Sequence, residues 1–127
     1  MSNINTLLSD FEIVPSDAIP YISLDNQRRF YVNSSARRLM DVKPYQRLII
    51  GYNPSENALA VIKDGTSLTD KARALAHTSR YNVDRRYYMS ARYFVKKYAF
   101  DMRQAPFFFD YEHGTSDGTV FIFKLRE

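Results

Sequence analysis

Along residues 28–32 apolar and polar side chains alternate. Phe30 and Val32 fall on one face and Arg29 and Tyr31 on the other, the two-residue period of a half-buried strand. The same theme is stated twice from Tyr21 onward. Leu24-Asp25 aligns with Val83-Asp84. With two residues dropped from the second copy, Arg28-Arg29-Phe30-Tyr31-Val32-Asn33 aligns with Arg85-Arg86-Tyr87-Tyr88-Met89-Ser90. Further on, Ile50-Gly51-Tyr52 meets Phe109-Asp110-Tyr111, and the apolar run 59–63 meets 120–124. Each copy therefore predicts a strand, a turn at its aspartate (shortened in the second copy), and a second strand rich in aromatic and β-branched residues.

A short helix follows in each copy. Asn33 or Ser34 caps a helix over 35–40, and Ser90 caps one over 91–98, through a side-chain oxygen that accepts a first-turn N–H. Apolar strands at 48–50 and 107–109 come next. Loops with turn chemistry at 53–57 and 113–118 lead into the closing strands. The order per unit is β–β–α–β–β. A unit of about 45 residues buries too little surface to stand alone, so the two halves are expected to share one core. The domain reading is an N-terminal arm over 1–20 and one body over 21–127. The body divides into unit one (21–63), a helical connector (64–79) and unit two (80–127). The arm carries Ile4, Leu7, Leu8, Phe11, Ile13 and Val14 between Met1 and the breaks at Pro15 and Pro20. It is expected to pack as a short helix or strand on the body.

Composition narrows the classes. The 127 residues are 45% hydrophobic and 25% charged, the balance of a folded soluble domain. No apolar run reaches the length of a membrane span, and the first nine residues hold no Lys or Arg, so a soluble, unprocessed cytoplasmic protein is expected. With no Cys and only His77 and His113, thiolate chemistry is excluded and no metal site or cofactor is expected. Four glycines form no phosphate-cradling loop, no Gly-x-Ser-x-Gly elbow occurs, and Ser34-Ser35 has no nearby His; the chain does not read as an enzyme. Asp110 and Glu112, two apart on a strand, read as a solvated pair at a hairpin end.

Leu24-Asp25-Asn26-Gln27-Arg28-Arg29-Phe30-Tyr31-Val32 resembles the Leu-Asp-x-x-Gly-Arg-x-x-Ile signature of the AbrB, SpoVT and MraZ families, with Arg28 in place of the glycine. Arg37-Arg38-Leu39-Met40 falls where those families have their short helix, and Asn33 replaces the proline before it. Tandem units in one chain are similar to MraZ in particular. The resemblance implies a pseudosymmetric swapped-hairpin β-barrel, mainly β with short helices, in a bacterial or phage protein. It also implies double-stranded DNA as partner, in transcription control, with further homo-oligomeric assembly as a family habit. By position, Arg29 and Arg86 match the family's strand arginine. Arg37 and Arg38 match its basic helix region, with Arg92, Lys96 and Lys97 in the same place of unit two.

Charge supports a polyanionic partner independently. Residues 1–20 carry Asp10, Glu12 and Asp17 and no base, a charge of −3, whereas the rest of the chain carries +7. Arg28, Arg29, Arg37, Arg38, Lys43 and Arg47 face Asp41 alone in the first window. Arg80, Arg85, Arg86, Arg92, Lys96, Lys97 and Arg103 face Asp84 and Asp101 in the second. Two such clusters suit the regular phosphates of a duplex; the plainer reading is a solvated face, with Arg85 or Arg86 paired to Asp84 or Asp25. Tyr31 and Tyr88 are expected beside Arg29 and Arg86 on an outer face, Tyr87 and Tyr93 in the core, and 107–109 and 120–123 as buried strands. The competing functional reading is a phage protein-binding module that inhibits or redirects a host protein, drawn from the 15% aromatic content and the family residues lost.

Overall fold

Two aspartates organise the body through the same local chemistry. Asp25 Oδ1 accepts from the N–H of Gln27 and Arg29 at 2.9 and 3.0 Å. Asp84 Oδ1 accepts from Arg86 and Tyr88 at 2.7 and 2.9 Å. Each turn closes with an N–H onto the aspartate carbonyl, from Arg28 in one and Tyr87 in the other, both at 3.1 Å. The donors Arg28 and Tyr87 sit in the left-handed region, at φ 58° and 68°. An aspartate that satisfies the N–H groups two and four residues on fixes the turn length. The second turn is therefore as long as the first, which corrects the shortened turn expected from sequence. Tyr88, not Arg86, opens the second strand at the place of Arg29, and Arg86 stands in the turn.

The computed structural model describes residues 3–12, 19–63 and 80–127. After a short helix α1 (Ile4–Leu7), strands β1 (Tyr21–Leu24) and β2 (Arg29–Val32) lead to α2 (Ser34–Met40), β3 (Arg47–Asn53) and β4 (Ala58–Lys63). Then come β5 (Arg80–Asn82), β6 (Tyr88–Ser90), α3 (Arg92–Tyr98), a 3₁₀ turn (Met102–Gln104), β7 (Phe107–Gly114) and β8 (Val120–Leu125). The strands form one antiparallel sheet in the order β5-β3-β4-β8-β7-β1-β2-β6, curled into a nearly closed barrel. Hairpin β1–β2 lies between β7 and β6, and hairpin β3–β4 lies between β5 and β8, so strands of the two halves interleave. The helical connector expected at 64–79 lies outside the described residues. Among the described residues, no helix is long and apolar enough to cross a membrane.

Alternation decides what fills the barrel. Ile22 and Leu24 of β1, Phe30 and Val32 of β2, Leu48 and Ile50 of β3, and Leu59 and Val61 of β4 point inward with Met89, Phe109, Phe121 and Phe123. Burial of a side chain the size of Phe30 is worth roughly 1.5–3 kcal/mol. Phe107 and Phe108 are only half-buried, so the aromatic run 107–109 is striped rather than uniformly internal. α2 and α3 cap the core with Ala36 and Met40, and with Phe94 and Val95.

The helix caps differ. Asn33 is buried and caps α2 through Oδ1, which accepts from Ala36 N–H at 2.9 Å and from Tyr21 N–H at 3.0 Å. Its Nδ2 donates to the Ile19 carbonyl at 2.9 Å, tying the root of the N-terminal arm to the helix. α3 has no side-chain cap: Ala91 holds the cap position, and Ser90 stays in β6 opposite Arg29. That corrects the Ser90 cap. The arm departs further from expectation. Ile4, Leu7, Leu8 and Phe11 are all exposed, and α1 buries nothing; residues 13–18 lie outside the described part.

Candidate nucleic-acid interface

The outer face of β2–β6 gathers arginine and tyrosine. Strand alternation turns Arg29 and Tyr31 outward from β2, and the register sets Tyr31 opposite Tyr88. Their rings lie 4.9 Å apart. The Arg29 guanidinium sits 4.1 Å over the Tyr88 ring and is held by Asp25, with Nη2 and Nε at 2.8 and 2.9 Å from Oδ2. Its charge is matched in place, which makes it a brace more than a free cation. One turn into α2, Arg37 lies 3.9 Å over the Tyr87 ring and donates from Nη2 to Tyr31 Oη at 3.1 Å. Such stacking is worth roughly 0.5–2 kcal/mol and fixes a side chain that otherwise samples many rotamers. Among the described residues, Arg37 Nε is buried without a hydrogen-bond partner.

Arg37 borders a cleft of about 350 Å³ lined by Ser34, Arg38, Asp41, Val42, Lys43 and Tyr87. The cleft is composite. Val32 N–H donates to Tyr87 O at 3.1 Å, seating the turn 84–87 of the second half against the start of α2. Tyr45 N–H donates to Val83 O at 2.8 Å, and Val83 N–H to Gln46 O at 3.0 Å, which clamps the loop 43–46 onto the same turn. The turn that carries the exposed Arg85 and Arg86 is thereby set against the start of α2 and the loop 43–46. Tyr45, 73% exposed, stands in that loop. The converse contact runs from Ala91 N–H to Arg28 O at 2.8 Å, placing the exposed Arg28 beside the start of α3 and its exposed Arg92.

The basic side chains expected from sequence are therefore regrouped. Arg37, Arg38 and Lys43 of the window 28–47 line one cleft, and a turn of each half meets the helix start of the other. Arg29 is brought into the stack. Lys43 is exposed and 3.4 Å from Asp41. Arg47 is exposed at the start of β3, opposite Asn82. Lys96 and Lys97 are exposed along α3, with Lys97 5.5 Å from the Tyr98 ring centre. Tyr87 packs against the core as expected, but Tyr93 is 73% exposed, on the side of α3 away from Phe94 and Val95. Arg85 and Arg86 do not pair with Asp25, whose partner is Arg29.

Elsewhere several charges are internally matched. Asp110 accepts two bonds from Arg126, at 2.7 and 2.8 Å, rather than standing solvated beside Glu112, and a bulge between Tyr111 and His113 breaks their shared face. That pairing raises the Arg126 pKa, chiefly through the Asp110 hydrogen bonds. Asp101 is lowered by its hydrogen bonds from Arg103. The role of Tyr87 as a platform for Arg37 escaped sequence reasoning; a tyrosine directly after an Arg-Arg pair in a turn was the available signal. Comparison with family models, curated proteins and solved structures finds no match for the chain.

Proposed function

We propose that the protein binds duplex DNA, as a transcription regulator of the bacterial or phage kind. Its two β–β–α–β–β units would form a swapped-hairpin, pseudosymmetric barrel akin to those of AbrB and MraZ. The strand order supports the architecture: exchanging β1 with β5, β2 with β6, β3 with β7 and β4 with β8 carries the pairing β1–β7 onto β5–β3 and β3–β4 onto β7–β8, and returns β2–β6 and β4–β8 to themselves.

The single observation that carries the binding reading is Arg37. A guanidinium stacked on Tyr87, with its Nε buried and lacking an acceptor, opens on a cleft edged by Arg38 and Lys43. A phosphate held in the cleft supplies a counter-charge to this guanidinium. Arg85 and Arg86 extend this surface, and Arg28, Arg92, Lys96 and Lys97 form its counterpart. Contacts of this type position a duplex without reading its sequence. The test is fluorescence anisotropy with unrelated duplexes. Arg37→Met with Arg38→Met should weaken binding at least roughly tenfold on all of them alike. No binding by the native chain at low salt would refute the reading.

A protein-binding role is the second reading, favoured by the exposed apolar side chains of the N-terminal segment. Capture of partners from bacterial lysate separates the two: partners that survive nuclease treatment favour it, and partners lost to nuclease favour DNA.

A further inference from the structure

Two composite faces are framed by the same backbone and filled with different side chains. Val32 N–H reaches Tyr87 O and sets the turn 84–87 against the start of α2; Ala91 N–H reaches Arg28 O and sets the turn 25–28 against the start of α3. The aspartate bonds give both turns one length. Both helices run seven residues to a left-handed end, Asp41 at φ 53° and Ala99 at φ 54°. Equivalent places can therefore be counted from the aspartates and from the helix starts. On the α2 face, Arg37 is the fourth helix residue; its guanidinium lies 3.9 Å over the Tyr87 ring and donates to Tyr31 Oη at 3.1 Å. On the α3 face all three places change chemistry. Buried Val95 is the fourth helix residue, Arg28 stands third after its aspartate in the place of Tyr87, and Ser90 stands sixth in the place of Tyr31. Among the described residues, the α3 face has no counterpart of this tyrosine-held arginine. Charge follows the same asymmetry. Arg85 and Arg86 fill the turn places that Asn26 and Gln27 fill in the other half, and Lys43 stands where the α3 face has Asp101.

We propose that the two faces engage a duplex unequally: the α2 face grips a backbone phosphate through Arg37, with Tyr87 and Tyr31 as its positioning residues, and the α3 face attracts by charge alone. This rests on the duplex-binding reading and names the half of the barrel that carries it. The physical difference lies in rotamer freedom. A solvated cation releases counterions when it meets a phosphate, but it gives up side-chain motion in doing so. Arg92 and Lys96, exposed along α3, are of that kind. Arg37 is already fixed by its ring and its hydrogen bond, so it gives up little on binding.

Anisotropy titrations of the full chain on one duplex across a range of salt test this. Arg37→Met with Arg38→Met, and Arg92→Met with Lys96→Met, each remove two cations, so each pair should flatten the salt slope by about 2. Extrapolation to about 1 M salt removes the counterion contribution. There the α3 pair should bind as the native chain does, and the α2 pair at least about fivefold more weakly. Tyr31→Phe removes no charge. It should weaken binding about two- to tenfold at every salt concentration and leave the slope unmoved. Tyr87→Leu, which takes away the platform, should do the same; if its melting curve shows that it does not fold, Tyr31→Phe decides. Equal losses for the two pairs at high salt, or a Tyr31→Phe chain that binds like the native one, would overturn the proposal and leave duplex binding standing. A native chain that binds no duplex at low salt would remove the reading beneath it, so the two failures are told apart.

Discussion

Replacement of Asn33 by alanine probes the joint between arm, barrel and helix. Three hydrogen bonds are lost: acceptance from Ala36 N–H and Tyr21 N–H, and donation to Ile19 O. Loss of an N-cap costs about 1 kcal/mol. The bonds from Tyr21 N–H and to Ile19 O are each worth about 0.5–1.5 kcal/mol more. The Tyr21 N–H is only part-buried and regains some hydration. The sum is about 2–4 kcal/mol, a large fraction of the 5–15 kcal/mol typical of a domain. Asn33→Ser keeps a hydroxyl acceptor for the Ala36 N–H and loses the other two bonds, so it should cost about 1 kcal/mol less than the alanine change. Urea unfolding followed by circular dichroism reads both. An Asn33→Ala loss below about 0.5 kcal/mol, or a serine variant as unstable as the alanine one, would refute the assigned role of the side-chain oxygen.

Two further outcomes follow from backbone and burial. Ala99 ends α3 in the left-handed region at φ 54° and is exposed, so Ala99→Gly should raise stability by about 1 kcal/mol in the same assay; a loss would contradict the cap geometry. Tyr52 and Tyr81 have pKa values raised by burial first and by Tyr98 second. A raised folded-state pKa favours folding fully below the unfolded value of 10.0 and loses that contribution as pH rises through the folded value. Stability should therefore fall as pH climbs above 10, with tyrosinate absorbance appearing late; phenols that ionise normally in the folded chain would count against this.

The elements legible from sequence were those dictated by local chemistry. Alternation over 29–32 placed Phe30 and Val32 inside, and Asn33 was one of two named candidates for the cap it makes. Where side-chain likeness competed with backbone need, likeness misled. The pairs Arg28-Arg29 and Arg85-Arg86 look equivalent, but Asp84 must satisfy the N–H groups of Arg86 and Tyr88, and that shifts the second pair into the turn. Ser90 looked like a cap, yet its pairing with Arg29 keeps it in the sheet. Tyr93 was assigned to the core by residue type; with Phe94 and Val95 facing in, it falls on the opposite side of the helix. The composite cleft was out of reach for a different reason. It exists only because β2 pairs with β6, a contact between positions 59 residues apart in the case of Phe30 and Met89.

The most direct test of the account is the salt dependence of duplex binding. Arg37, Arg38, Lys43, Arg85 and Arg86 on one side, with Arg28, Arg92, Lys96 and Lys97 on the other, predict a slope of log affinity against log salt near −8, about −0.9 per phosphate neutralised. That corresponds to a loss on the order of 10⁴–10⁵-fold between 50 and 200 mM salt. Arg37→Met with Arg38→Met should flatten the slope by about 2. A slope shallower than about −2 in the native chain, or one unmoved by the double replacement, would contradict it.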